Sequence, residues 1–262
     1  MAHFDLEFES IFPTGTSWRQ EYELGEPWPH LVLDDVFEPS LIAAAEQEQL
    51  ECADELLARR RHYQGREAPA EIVGSASQRL LGLLQSTIMT KLVSEVTGIP
   101  FLEPDRAHVW AGVKALGPGG YTTVHRDFPK HPLTGLFHRV NAILYLNHDW
   151  QPSYGGALEL WDREMRRCEK TVLPVAGRLL IFETTSETLH GIPMPITCPP
   201  DRVRFSLAAY YYSAEPPARL ATGVSVWPPR RPSQAAPLRL TTLDGLSQAA
   251  KRLFLRSART PR

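Results

Sequence analysis

The stretch TTVHRDFP, residues 122–129, sets an imidazole and a carboxylate two residues apart in a run that reads as a β-strand. Side chains alternate faces along a strand, so His125 and Asp127 point to one side and Arg126 to the other. Such a pair is common by chance and gains meaning only from a third donor. His190, in TLHGIP late in the strand-rich region and followed by glycine, stands out. Two histidines and a carboxylate form the facial set that holds non-haem Fe(II) and leaves three coordination positions open. His131, His138 and His148 sit in or beside loops with no strand to aim them, and read as surface groups or as groups that support the ligands from behind.

An open iron site needs a co-substrate, and the sequence offers a receptor. RVRFSLAAYYYS (202–213) puts Arg204 and Ser206 on one strand face, fourteen residues beyond His190. Arginine presents a fork of donors that matches a carboxylate. NAILYLN (141–147) places Asn141, Ile143 and Tyr145 on one face. Tyr145 can offer its hydroxyl to the same carboxylate, with Leu158 as an apolar wall. Singly these are an edge arginine, a core tyrosine and a core leucine; the joint order carries the argument.

The elements that must position these groups fall into two textures. HLVLDDVF (30–37) reads as a buried strand, and 38–61 as a helix opened by Pro39 and Ser40. Residues 77–98 repeat apolar side chains at three- and four-residue steps and stop at Gly98. From 107 to 213 come eight short strands: 107–115, 121–127, 139–147, 156–161, 170–174, 178–182, 187–192 and 203–213. Turn signals fall at Gly117–Gly120, Gly155–Gly156 and Cys198–Asp201. The expectation is a mainly β chain with flanking helices, an antiparallel sandwich or jelly roll. Residues 1–30 read as an arm and 31–213 as one catalytic domain, with helical support at 38–98 and a core at 107–213. Residues 214–262 read as an extension, proline-rich to 240 with a helix at 243–255.

Composition sets the outer bounds. The 262 residues suffice for one sizeable core. A net charge of −2 gives no electrostatic footprint for nucleic acid or an anionic membrane. No apolar run approaches the ~20 residues of a membrane span, and MAHFDLEFES lacks the basic and apolar regions of a secretory signal. Three widely spaced cysteines read as reduced thiols, so a cytoplasmic location is expected. Self-association is compatible with the sequence. Arginine outnumbers lysine 23 to 5, as GC-rich bacterial coding would produce.

The order H-x-D, YLN-x-D-W, GG-x-L-E-L-W, H-G and R-x-S-L-A-x-Y-Y-Y resembles the prolyl-4-hydroxylase-like branch of the 2-oxoglutarate/Fe(II) dioxygenases. These motifs are His125–Asp127, Tyr145–Trp150, Gly155–Trp161, His190–Gly191 and Arg204–Tyr212. The resemblance implies a double-stranded β-helix, a cupin-like jelly-roll barrel. It also implies that His125, Asp127 and His190 bind Fe(II), and that Arg204 holds the distal carboxylate of 2-oxoglutarate with Tyr145 and Ser206. Asn141 and Leu158 complete the expected co-substrate pocket, and O2 is the oxidant. One departure matters: animal protein prolyl hydroxylases carry a tyrosine about ten residues before the first iron ligand, where this chain has Lys114-Ala115-Leu116. Peptide-prolyl specificity is therefore not carried over.

The expected activity is oxidation, by hydroxylation or oxidative cyclisation, of an unactivated C–H in a small polar metabolite. A sugar, aminoglycoside or amino acid of bacterial antibiotic biosynthesis would fit. A protein hydroxylase is the alternative, and a non-catalytic jelly roll is disfavoured by the complete ligand set. Residues 128–138 and a terminal arm are expected to close the barrel mouth, since reactive chemistry needs a dry site. Glu159, Asp162, Glu164, Glu183 and Glu187 could favour a cationic substrate, but alternation turns Glu159 toward solvent.

Overall fold

The computed structural model describes residues 16–58, 65–68, 74–109 and 111–219. Residues 1–15 of the arm, the chain from 220 onward and the expected helix at 243–255 lie outside that set. Helix α1 (Thr16–Glu23) leads into strand β1 (His30–Leu33), α2 (Pro39–Glu51), α3 (Ala53–Ala58) and β2 (Gly65–Ala68). Next come α4 (Ser75–Leu84), α5 (Thr87–Thr97) and β3 (Glu103–Pro104). The barrel strands are β4 (Gly112–Leu116), β5 (Thr122–His125), β6 (Phe137–Tyr145), β7 (Leu158–Trp161), β8 (Cys168–Val172), β9 (Leu179–Glu183), β10 (His190–Ile192) and β11 (Arg204–Ser213).

Two long helices expected from the sequence are each broken. The first stops at Cys52, whose backbone is no longer helical. The second stops at Gln85, whose side-chain amide donates to the Asp105 carbonyl at 2.8 Å. Ser86 then starts a new helix, its hydroxyl accepting from Met89 N. Gly98 ends that helix at φ 72°, as expected for a left-handed cap. The junction at 85–86 continues the apolar period, so periodicity alone cannot show it.

The strands form two antiparallel sheets, the double-stranded β-helix. One has seven strands, ordered β1-β9-β6-β11-β4-β2 with β3 beside β11; the other has four, ordered β5-β10-β7-β8. Alternation along β11 divides the core. Phe205, Leu207, Ala209 and Tyr211 face the helices, where they meet Val140, Leu144, Leu80, Leu84 and Val93. Tyr211 also donates its hydroxyl to the Leu84 carbonyl. Between the sheets, Tyr145, Leu158, Leu160, Val172, Phe182 and Ile192 pack as a second cluster. Each large apolar side chain so buried contributes roughly 1.5–3 kcal/mol. The helices brace one sheet from outside, so the interior of the barrel is free to carry polar groups.

Candidate metal and co-substrate site

His125 and His190 are direct partners across β5 and β10. Their rings stand 4.6 Å apart between centroids. Each ring is fixed by the same device: Nδ1 lies 2.9 Å from the Thr123 carbonyl in His125 and 3.1 Å from the Thr188 carbonyl in His190. An Nδ1–H donating to a carbonyl leaves Nε2 with its lone pair, the tautomer a metal needs. Gly191 lets the strands come this close. A β-carbon built there would sit 2.6 Å from the Thr123 carbonyl oxygen.

Asp127 completes the cluster. Its Oδ1 lies 3.6 Å from His125 Nε2 and its Oδ2 3.7 Å from His190 Nε2. One donor atom from each of the three lies within 4.8 Å of the other two, a group able to hold a metal ion. The expected strand through 127 is shorter than the sequence suggested, because β5 ends at His125. Asp127 thus reaches the site from the following turn, steadied by Asn141 Nδ2, which donates to Oδ2 at 2.6 Å. Burial alone would raise the pKa of Asp127, but His190 and His125 outweigh it and hold the carboxyl well below its usual range. For His190 burial dominates and lowers the pKa to about 4, against the pull of Asp127. At neutral pH the site therefore presents the neutral imidazole of His190 and the carboxylate of Asp127.

A second polar group occupies the same barrel. Arg204 is 3% exposed, and its Nε donates to the Gly156 carbonyl at 2.7 Å. Gly156 adopts φ 75°, and a β-carbon there would lie 3.1 Å from Arg204 Cδ. The Gly-Gly pair of the sequence is therefore the cradle of the arginine. Tyr145 is fully buried beside it, and Ser206 is buried opposite Tyr145 in register. The Tyr145 hydroxyl completes no hydrogen bond of good geometry among the described residues. Nor does a carboxylate pair with Arg204 among them. Leu158 packs in the same apolar cluster as Tyr145.

Other expectations are corrected. His138 is expected in or beside a loop but lies within β6; of the two alternatives for it, a surface group is excluded, since it is 3% exposed and stacks on Tyr212 with centroids 5.1 Å apart. His131 is buried, with Nε2 3.2 Å from Asp105 Oδ1, and Nδ1 accepts from Leu133 N and Thr134 N, which pins the loop after Asp127. His148 pairs with Glu46 of α2. Asn141, expected among the co-substrate residues, also donates to Asp127. Glu159 is half-buried and accepts from Trp161 Nε1. Glu183 pairs with Arg139, and Glu187 with Arg163 and Arg219, so these acids are engaged by arginines rather than presented to a cation.

The comparisons with known proteins fit this geometry. Residues 111–212 match the family described as the 2OG-Fe(II) oxygenase superfamily. No curated protein matches the chain. A prolyl-4-hydroxylase from Pseudomonas putida is similar in structure, with TM-score 0.53 and 20% identity over 77% of this chain and 100% of that one. A Trichoplax adhaerens prolyl hydroxylase in complex with a hypoxia inducible factor oxygen degradation domain peptide gives 0.54 and 17%, over 76% and 89%. A prolyl 4-hydroxylase from Phytophthora capsici gives 0.56 and 20%, over 79% and 64%. At these identities the shared property is the fold. The segment that matches this family of 2-oxoglutarate- and Fe(II)-dependent oxygenases spans the barrel strands from β4 into β11 and contains His125, Asp127 and His190, a group able to hold a metal ion. Among the described residues no helix is long and apolar enough to cross a membrane.

Proposed function

We propose that His125, Asp127 and His190 hold Fe(II), that Arg204 receives the distal carboxylate of 2-oxoglutarate with Tyr145 and Ser206, and that the substrate is a small polar metabolite. The observation that carries the co-substrate assignment is the buried Arg204 beside the unsatisfied hydroxyl of Tyr145. A cation without a carboxylate inside a barrel is costly unless an anion comes to it. The donor set suits the metal as well, since two imidazoles and one carboxylate are the ligands Fe(II) takes with positions left open.

When bound, the metal and 2-oxoglutarate supply oxidation of an unactivated C–H, coupled to release of succinate and CO2. The chain's own residues have plainer tasks. Carbonyls of Thr123 and Thr188 hold two imidazole tautomers, Asn141 steadies a carboxylate, and Gly156 aims a guanidinium. Leu158, Leu160 and Phe182 keep water from the interior.

The small-substrate reading draws support from two fastened segments. His131 pins the turn after Asp127. The strap 214–219 is tied by Arg139 to the Glu215 carbonyl and by Arg219 to Glu187. Pro217 joins Asp127, Phe128 and His138 around a cavity of about 10 Å³, so this flank is closed. The second reading, a protein hydroxylase acting on a prolyl side chain, is favoured by the fold neighbour described with a bound peptide. Release of succinate, screened over amino acids, sugars and aminoglycosides beside proline-containing peptides, separates the two. Turnover with peptides alone selects the second. The metal assignment is tested anaerobically: the wild type with Fe(II) and 2-oxoglutarate shows a visible charge-transfer band, and His190→Ala does not. A band that survives the substitution removes His190 from the ligand set.

A further inference from the structure

The departure from the animal prolyl hydroxylases falls at Lys114-Ala115-Leu116, and the sheet register turns Lys114 into the barrel. Its partner across β4 and β11 is Ser206, and the partner of Ser206 across β11 and β6 is Tyr145. Residues paired in this way point to the same side of a sheet. Asn141, which donates to Asp127 Oδ2, pairs likewise with Tyr210. One inner wall therefore carries Arg204 toward one end, Asn141 and Tyr210 toward the other, and Lys114 between.

The lysine is half-buried, and its Nζ stands 5.8 Å from the centroid of the Tyr210 ring. Tyr210 lies four residues beyond Ser206 on β11, roughly 13 Å along the strand. The lysine stem must lean toward it across the intervening row, where Ala208 pairs with Gly112. A methyl group and a hydrogen leave the room it needs. An ammonium within about 6 Å of an aromatic face is attracted to it. The ring is itself braced by His138, whose centroid lies 5.0 Å away in a T-shaped contact. The positive charge is thus aimed along the wall toward the metal end.

No acidic residue occurs in β4, β6 or β11. In the function proposed above, Fe(II) and Arg204 match the negative charges of Asp127 and 2-oxoglutarate. Lys114 adds a positive charge to that neutral set. We propose that Lys114 is a substrate-recognition residue, and that the small metabolite carries a carboxylate which its ammonium binds above Tyr210. The inference rests on the small-metabolite reading and narrows it to carboxylic acids, amino acids among them. An aminoglycoside would set its own cations against the lysine. Lys114 is also the register partner of Glu67 in β2, and service to that pairing alone is the rival role.

The test uses the full chain with Fe(II) and 2-oxoglutarate under anaerobic conditions, read by the change a bound molecule makes in the visible charge-transfer band. The probes are free amino acids and sugar acids, each beside its amide, together with neutral sugars and C-terminally amidated proline-containing peptides. At least one acid is expected to shift the band at a tenth or less of the concentration its amide requires. Lys114→Met is expected to weaken that acid roughly ten- to hundredfold, the range for a hydrogen bond to a charged group. The amide and 2-oxoglutarate should bind the variant as they bind the wild type. Lys114→Arg keeps the charge and should retain most of the affinity; Lys114→Gln replaces Lys114→Met should the latter not fold. Acids that bind no better than their amides, an acid whose affinity survives loss of the lysine, or a band that no probe moves would each overturn the inference. So would a Lys114→Met that weakens 2-oxoglutarate itself, or one that lowers only the unfolding midpoint, as service to Glu67 alone predicts. If neutral metabolites shift the band and acids do not, this inference fails and the small-metabolite reading stands. If peptides alone shift it, both fail.

Discussion

The guanidinium of Arg204 lies over the ring of Tyr145, with its central carbon 5.0 Å from the ring centroid. Both side chains are buried, and each answers the other electrically. Burial lowers the pKa of Arg204 and raises that of Tyr145, while their proximity opposes both changes. In the function proposed above, the pair serves as the receptor for the carboxylate of 2-oxoglutarate, with the cation already in place.

Arg204→Met is expected to weaken 2-oxoglutarate by roughly 3–5 kcal/mol, the range for a buried charge deprived of its partner. Tyr145→Phe is expected to cost roughly 1.5–3 kcal/mol, as for a hydrogen bond to a charged group. Anaerobic titration of 2-oxoglutarate into the metal-loaded variants measures both. An unchanged affinity in Arg204→Met moves the anchor elsewhere, with Arg202 the first candidate, while metal affinity stays as in the wild type.

Glu48 of α2 supplies the cap that α4 lacks within itself. Its carboxylate accepts from Ala76 N at 2.7 Å and Ser77 N at 2.9 Å. Glu48→Ala is expected to lower stability by roughly 0.5–2 kcal/mol, the range for lost N-caps. Urea unfolding of the two proteins gives the value. Equal midpoints and slopes would show that water replaces the carboxylate fully.

His30 is buried, with Nδ1 2.9 Å from the Trp28 carbonyl, and burial lowers its pKa from 6.5. Below about pH 6.5 the unfolded chain takes up a proton that the folded chain refuses. Stability therefore falls as pH drops through that region. His30→Gln removes this contribution, so its stability should decline less steeply between pH 7.5 and 5.5, by at most about 1.4 kcal/mol per pH unit. Parallel curves for the two proteins would exclude the effect.

A chain ended after Ser213 loses Pro217 beside Asp127, the Glu215 carbonyl that Arg139 holds, and the Arg219–Glu187 pair. It is expected to keep Fe(II) and 2-oxoglutarate binding but to release succinate without matching product. Measuring both products per turnover decides it. A fully coupled shortened enzyme would mean that the strap takes no part in closing the site.

Much of the site was legible because strand alternation is a strict rule. It grouped His125 with Asp127, and Arg204 with Ser206, and a strand-rich texture was enough to expect a jelly roll. The losses occur where that rule is interrupted. Asp127 lies beyond the end of β5, and its agreement with alternation owes more to Asn141 than to strand geometry. His138 was misplaced because a single extra residue, Arg139, reverses parity along β6. Nothing in FHRVNAI marks which residue is the extra one. The long helices were misread at Cys52 and Gln85 because the apolar period runs on through both breaks.

Gly191 offers no donor atom, yet the separation of the two imidazoles depends on it. A methyl group at this position would collide with the Thr123 carbonyl, the same oxygen that orients His125. The strand would have to retreat, widening the gap between His125 and His190 and disturbing one tautomer in the same movement. The bite of the proposed metal site is thus set by a hydrogen atom on a residue that no ligand search would name. A substitution there would present itself as a failure of metal loading, with every ligand still in place.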